Sequence, residues 1–147
     1  MTRCDKESDL WETPQWLFDE LNDEFGFFMD LCANESNNKC SLGPGDYLKY
    51  DLAWVQYPCF MNPPHSAPLP FIKKAYEDRR YCTIVMLIKC DTSTKAWGVF
   101  WDYYNNCPKP GVEVRFLPKR LKFERDGVPS KNCANFPSAV VVLNQSV

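Results

Sequence analysis

In the stretch Cys59–Ser66, CFMNPPHS, an apolar run ends at Asn62 and passes through Pro63 and Pro64 to His65, the chain's single histidine. Asn62 offers a side-chain oxygen and Pro63 a backbone carbonyl, so two hydrogen-bond acceptors stand next to each other. Both prolines fix their own φ, which holds the carbonyl in place before any ligand arrives. Set against the two hydrogens of a planar, amide-like amino group, such a pair draws the nitrogen toward tetrahedral geometry. The lone pair, otherwise delocalised into the ring, becomes available for attack. A ring side chain directly after the prolines can stack on a flat partner and hold it in line. The same residues also suit an ordinary turn.

Other residues with chemical potential are few. Asp30 stands near the end of the apolar run Phe27–Leu31, where a buried acid is uncommon enough to point to function, though backbone amides can also satisfy one. Pro118–Arg125, PKRLKFER, places Lys119, Arg120, Lys122 and Arg125 against the single acid Glu124. That is either a solvated surface segment or a strip that contacts phosphates. The net charge of −2 leaves the molecule as a whole without attraction for nucleic acid, so any such contact must be local. None of the eight cysteines falls in a tight Cys pair, and with one histidine no zinc signature forms. Buried free thiols are the expectation. Aromatic residues reach 15%, enough both to fill a core and to stack on bases; Trp11 and Trp54 are expected in the core. With no signal peptide and no apolar run of membrane length, an intracellular protein is expected: bacterial host cytoplasm, or nucleus if the source is eukaryotic.

The elements that must position these residues follow from periodicity. Trp11–Phe25 has Trp16, Leu17, Leu21 and Phe25 at helical spacing, Thr13 as N-cap, Pro14 at the first helical position and Gly26 as stop. Phe27–Leu31, Pro58–Met61 and Cys82–Ile88 read as strands, and Phe71–Arg80 as a helix. Thr94–Asn105 also reads as a helix, with Trp97, Phe100, Trp101 and Tyr104 on one face. Asn34–Asp46 is loop, and Val112–Leu117 and Ala139–Leu143 are strands separated by the basic segment. This alternation predicts one α/β domain over residues 1–147, with a largely parallel sheet closing in a C-terminal antiparallel hairpin. In such sheets ligands bind beyond the carboxyl ends of the strands, where Asp30 and Asn62 both fall.

The ordered set WETP, EFGFFMDLCANESNNKC, YDLAW, FMNPPHS, FIKKA, VMLI, TSTKAW, VEVRFLPKRLKF and FPSAVVV resembles the phage-type DNA N6-adenine methyltransferase (Dam) family from about Trp11 to Leu143. The resemblance implies a Rossmann-like class I methyltransferase sheet with helices on both faces and no separate target-recognition domain. It implies methyl transfer from S-adenosylmethionine to adenine N6 in DNA, with no metal. Asn62, Pro63, Pro64 and His65 match the catalytic motif. Thr13 and Pro14 match the segment near the donor's methionine end. Asp30, Cys32 and Ala33 match the segment lining the donor, and Asp51 an acid near its adenine. Lys119, Arg120 and Lys122 are the expected DNA backbone contacts. With no recognition domain, sequence preference falls to loops such as Ala33–Asp46 and Lys119–Cys133.

His65 departs from the Tyr or Phe usual in that family. Imidazole offers a smaller stacking face, and in its protonated form it would repel a cationic donor. This departure keeps a second reading open, a weak or inactive donor- or DNA-binding homologue, possibly half of a pair. A third reading is methyl transfer to RNA or to a protein amide, which the same acceptor pair would serve.

Overall fold

The computed structural model describes residues 7–33, 38–40 and 42–146. In chain order it contains α1 (Gln15–Phe25), β1 (Met29–Asp30), β2 (Cys59–Met61), α2 (Leu69–Asp78), β3 (Ile84–Lys89), β4 (Trp101–Asp102), β5 (Cys107–Pro108), β6 (Val112–Phe116), β7 (Glu124–Arg125), β8 (Val128–Pro129) and β9 (Ser138–Leu143). Short 3-10 turns occupy Glu7–Leu10, Tyr47–Lys49 and Trp97–Val99.

Five strands form one sheet in the order β1-β2-β3-β9-β6. β1, β2 and β3 are parallel neighbours, while β9 runs antiparallel to both β3 and β6. In this sheet every strand but β9 therefore points the same way. The predicted pairing of Val112–Leu117 with Ala139–Leu143 is the β6–β9 contact, with Val114 opposite Val141. β3 and β9 are apolar at successive positions because both of their faces are covered. Ile84, Met86 and Val141 meet Phe71, Ile72 and Ala75 of α2 on one face. Val85, Leu87 and Val140 meet Leu17, Phe18 and Leu21 of α1 on the other. Each large apolar side chain among them contributes roughly 1.5–3 kcal/mol by leaving water. One α-helix thus lies on each face.

Helix α1 ends as its sequence predicts, with Gly26 in the left-handed region at φ 65 and its N–H on the Asn22 carbonyl. Its start does not follow the prediction. Thr13 provides no cap; the cap position is Pro14, and the Gln15 N–H donates instead to Glu124 Oε2 at 3.2 Å. A carboxylate at a helix N-terminus is favourable by roughly 0.3–1 kcal/mol. Residues Glu12 and Glu124 also exchange backbone hydrogen bonds, which ties the entry of α1 to the basic segment.

Several expectations are corrected. Thr94–Asn105 is not a helix: after the Trp97–Val99 turn the chain enters the β4–β5 hairpin, whose loop is reversed at Asn106 with φ 53. Asn tolerates that conformation through its short polar side chain. Trp54 is exposed rather than core, and Trp11 is half-buried against the core's edge. Of the described cysteines only Cys59 and Cys82 are fully buried, whereas Cys107 and Cys133 are exposed. Residues 34–37 and 41 of the predicted loop lie outside the described residues. No helix among the described residues is long and apolar enough to cross a membrane.

Candidate active site

Because β1, β2 and β3 are parallel and adjacent, their carboxyl ends open on the same rim. Asp30 ends β1, Asn62 follows the last residue of β2, and Lys89 ends β3. The rule that ligands bind at such ends brings Asp30 and Asn62 to the same edge, and the sheet register carries this out.

Asn62 is oriented from outside its own segment. Its Nδ2 donates to Thr13 Oγ1 at 3.0 Å, across 49 residues of sequence. Thr13 is 3% exposed, and Pro14 beside it is also buried. The hydroxyl that sequence suggests as a helix cap therefore fixes the amide. With Nδ2 engaged, Asn62 Oδ1 is a buried acceptor without a hydrogen-bond partner among the described residues. An unpaired buried oxygen costs roughly 1–3 kcal/mol, a cost relieved by any ligand that brings a donor.

The loop after the prolines is latched by a residue that the sequence does not single out. Asp9 accepts the Ser66 N–H at 3.0 Å and the Ser66 hydroxyl at 2.7 Å. The contact spans 57 residues with no local pattern, so the only signal in the sequence is a Ser two positions after the second proline. Pro63, Pro64 and His65 form one wall of a cavity of about 180 Å³, lined elsewhere by residues that include Ile72, Ile88, Asp91, Thr94 and Trp97.

His65 is packed edge to face against Phe123 and Phe136, with ring centroids 5.3 and 5.5 Å away. Burial pushes its pKa below the ordinary 6.5; Asp9 partly opposes this shift and Lys89 adds to it. The imidazole is therefore neutral at neutral pH, which removes the predicted charge conflict with a cationic donor. An NMR titration of this single imidazole is expected to give a value below 6.5, and a value at or above it contradicts the packing. The linked stability has a definite sign. Well above pH 6.5 neither state is protonated. As pH falls the unfolded chain takes up the proton first, so stability falls with pH until folded His65 is protonated as well.

Asp30 is 4% exposed. Its Oδ2 accepts the Lys39 N–H at 3.0 Å, and its own N–H reaches the Leu42 carbonyl at 3.2 Å. Gly43 permits this close fold: a Cβ there would stand 2.9 Å from Asn38 Nδ2 and 3.4 Å from the Asp30 carbonyl. Burial raises the Asp30 pKa to about 6, against the opposing pull of the Lys39 amide. Cys32 and Cys40 are near enough for Asp30 to add to the rise that burial imposes on their thiols, Cys40 reaching about 12, so neither is a thiolate at neutral pH. Ala33 is buried beside them.

The remaining predicted residues are placed less centrally. Asp51 is exposed, and its carboxylate accepts the Ala53 N–H at 2.9 Å in a local turn. Lys119, Arg120 and Lys122 are exposed, while Leu121 and Phe123 between and after them are buried. Phe123 is the ring that packs on His65, so the basic strip is anchored beside the Asn-Pro-Pro turn. Among the described residues no group of three or more potential metal ligands occurs.

Comparison with known proteins identifies the family. Residues 2–147 match the family described as DNA N-6-adenine-methyltransferase (Dam). The chain is 32% identical over 144 residues to a DNA N-6-adenine-methyltransferase of Haemophilus phage HP1, covering 93% of this chain and 79% of that protein. It is 33% identical over 123 residues to a DNA N-6-adenine-methyltransferase of Escherichia phage T1, covering 81% of this chain and 49% of the relative. No solved structure matches the chain. Together with the Asn-Pro-Pro turn at the carboxyl end of a parallel strand, these matches place the chain in the DNA N-6-adenine-methyltransferase (Dam) family.

Proposed function

We propose that the chain transfers a methyl group from S-adenosylmethionine to the exocyclic N6 of adenine in DNA, on a Rossmann-like sheet whose rim carries Asp30 and Asn62. The observation that carries this reading is the Asn62 Oδ1 just after β2, buried and without a hydrogen-bond partner among the described residues. Asn62 Oδ1 and the Pro63 carbonyl accept the two amino hydrogens, and Thr13 keeps the amide turned so that its oxygen faces the base. The site suits the donor as well, since a cationic ligand offsets the burial that raises the Asp30 pKa to about 6 and stabilises the ionised carboxyl. When bound, S-adenosylmethionine supplies an electrophilic methyl group on a positively charged sulfur. Asp30, Cys32 and Ala33 line its place, with Thr13 and Pro14 toward the methionine end and Asp51 toward the donor's adenine. His65, held by Phe123 and Phe136, covers one face of the target base. That base must leave the duplex to reach the cavity, at a cost of a few kcal/mol.

Lys119, Arg120 and Lys122 contact the DNA backbone in this reading. Replacing all three by Ala is expected to weaken DNA binding uniformly across sequences and to reduce the steepness of its salt dependence by roughly 0.7–0.9 per lost phosphate contact. Fluorescence anisotropy at several salt concentrations measures this, and an unchanged slope removes the strip from the interface.

Isotopically labelled donor tests the function itself. The protein is incubated in parallel with adenine-containing DNA, RNA and a protein mixture, and the products are digested. Label in N6-methyldeoxyadenosine is expected. Label confined to RNA or protein overturns the assignment to DNA, and donor binding without transfer to any of the three makes the chain a binding protein.

A further inference from the structure

The turn Asn62–His65 is gripped at both ends by one short segment of the chain. Thr13 Oγ1 accepts from Asn62 Nδ2 at 3.0 Å, while Asp9 accepts the Ser66 N–H at 3.0 Å and the Ser66 hydroxyl at 2.7 Å. Asp9 and Thr13 are four residues apart, and so are Asn62 and Ser66, with the order of contacts reversed. The two segments therefore lie antiparallel, matched end to end.

A turn of this composition needs support from outside. Pro63 and Pro64 fix their own φ but carry no N–H, so at two successive positions the backbone has no donor with which to hold itself. Their ψ angles aim the Pro63 carbonyl and deliver His65, and these are left to the flanks. The gripping segment is itself held fast. Glu12 exchanges backbone hydrogen bonds with Glu124 at 2.6 and 2.9 Å, and its Oε1 accepts the Gly127 N–H at 3.3 Å. The Arg125 guanidinium lies over the Trp11 ring, 4.6 Å from its centroid. Glu12 and Thr13 are buried, whereas Asp9 is half-buried and turns its carboxylate toward Ser66.

Resting on the methyl-transfer reading above, we infer that Asp9 is a positioning residue for that reaction: by holding Ser66 at two atoms it sets the Pro63 carbonyl and His65 against the target base, as Thr13 sets Asn62 from the other end. Residues 9–13 act as a template for the acceptor pair. A misplacement of about 1 Å at a reacting centre costs on the order of 10²-fold in rate, so Asp9→Ala is expected to lower kcat by about 10- to 100-fold. The lesion falls on orientation, and KM is expected to stay within about twofold. Asp9→Asn keeps an oxygen for the Ser66 N–H and brings an amide that can donate to the Ser66 hydroxyl oxygen, so it is expected to recover kcat to within about threefold of the unmodified protein.

The test compares the unmodified chain with Asp9→Ala, Asp9→Asn, Ser66→Ala and the double variant Asp9→Ala/Ser66→Ala. Two readouts are taken: single-turnover methyl transfer to adenine-containing DNA, and the NMR signals of the His65 imidazole. In Asp9→Ala these signals are expected to leave the positions that the Phe123 and Phe136 rings impose, and in Asp9→Asn to stay. Ser66→Ala removes one of the two bonds and is expected to lower kcat by about 3- to 10-fold, adding little to Asp9→Ala because the partner is already gone. An unchanged kcat in Asp9→Ala, equal losses in Asp9→Ala and Asp9→Asn, or fully additive losses in the double variant overturns the inference. If Asp9→Ala does not fold, Ser66→Ala decides: an unchanged kcat with an unmoved imidazole overturns the inference. If the imidazole responds as expected but the unmodified protein transfers no methyl, the grip on His65 stands and the methyl-transfer reading fails. Methyl transfer that ignores every change at Asp9 and Ser66 leaves that reading standing and removes Asp9 from it.

Discussion

Asn62→Ala is expected to lower methyl transfer to adenine by about 10²- to 10³-fold, the usual consequence of removing one preorganised hydrogen-bonding group from a reacting centre. The reason is geometric. Asn62 Oδ1 is buried and has no hydrogen-bond partner among the described residues, with the other end of the amide held by Thr13 at 3.0 Å. Alanine removes the acceptor and leaves Thr13 Oγ1 without its donor, a loss of about 1 kcal/mol of stability. The fold survives such a change, and donor affinity is expected to stay within about twofold of its original value because the lesion falls on the barrier. Thr13→Val keeps Asn62 but frees its amide to rotate, and about a tenfold loss in kcat is expected, with KM little changed. Single-turnover rates with saturating donor measure both. If Asn62→Ala keeps more than about a tenth of the rate, Asn62 is not the acceptor.

Asp30→Asn is expected to move binding and stability in opposite directions. The Asp30 carboxyl is buried, with a pKa of about 6 against an ordinary 3.8. Between those values the folded chain holds a proton that the unfolded chain does not, so stability falls as pH rises through that window. Above about pH 6 the folded state carries the full burden of a buried charge, at most about 3 kcal/mol at roughly 1.36 kcal/mol per unit. Asparagine removes this burden and can still accept the Lys39 N–H. The free protein is therefore expected to melt higher at about pH 7.5, and its stability to lose the slope between roughly pH 4 and 6. Donor affinity is expected to fall by about 100-fold or more, on the order of 3 kcal/mol, since a charged partner is lost in a desolvated place. In the unmodified protein, affinity for S-adenosylmethionine is expected to weaken as pH drops below about 6, and calorimetry follows both effects. A variant that binds donor normally, or that melts lower, contradicts this role for Asp30.

The features that sequence discloses are those that local chemistry determines. The Asn-Pro-Pro turn, the Gly26 stop and the apolar run of β3 each follow from residue types within a few positions. Asp30 and Asn62 share an edge because parallel strands present their carboxyl ends together, a rule that needs only the order of elements. The features that sequence hides are held by partners far along the chain. Thr13 to Asn62, Asp9 to Ser66 and Gln15 to Glu124 bridge 49, 57 and 109 positions, and none leaves a periodic trace. The departure over residues 94–105 has a different origin. Trp97, Phe100, Trp101 and Tyr104 fit a helical face, but the left-handed Asn106 folds the segment into a hairpin and leaves Tyr104 96% exposed. His65 shows how far packing alters a side chain's chemistry. Its type alone suggests a titrating substitute for a stacking ring, whereas burial against Phe123 and Phe136 keeps it neutral.

Asn62 Oδ1 and the Pro63 carbonyl receive the two hydrogens of adenine N6 in the proposed reaction, and every other role follows from that contact. A crystal structure of the protein with S-adenosylhomocysteine and an adenine-containing oligonucleotide tests it most directly. The expected result is an extrahelical adenine in the cavity beside His65, with N6 at roughly 2.7–3.2 Å from both oxygens. An adenine bound with N6 away from Asn62, or a cavity occupied by some other part of the DNA, contradicts it.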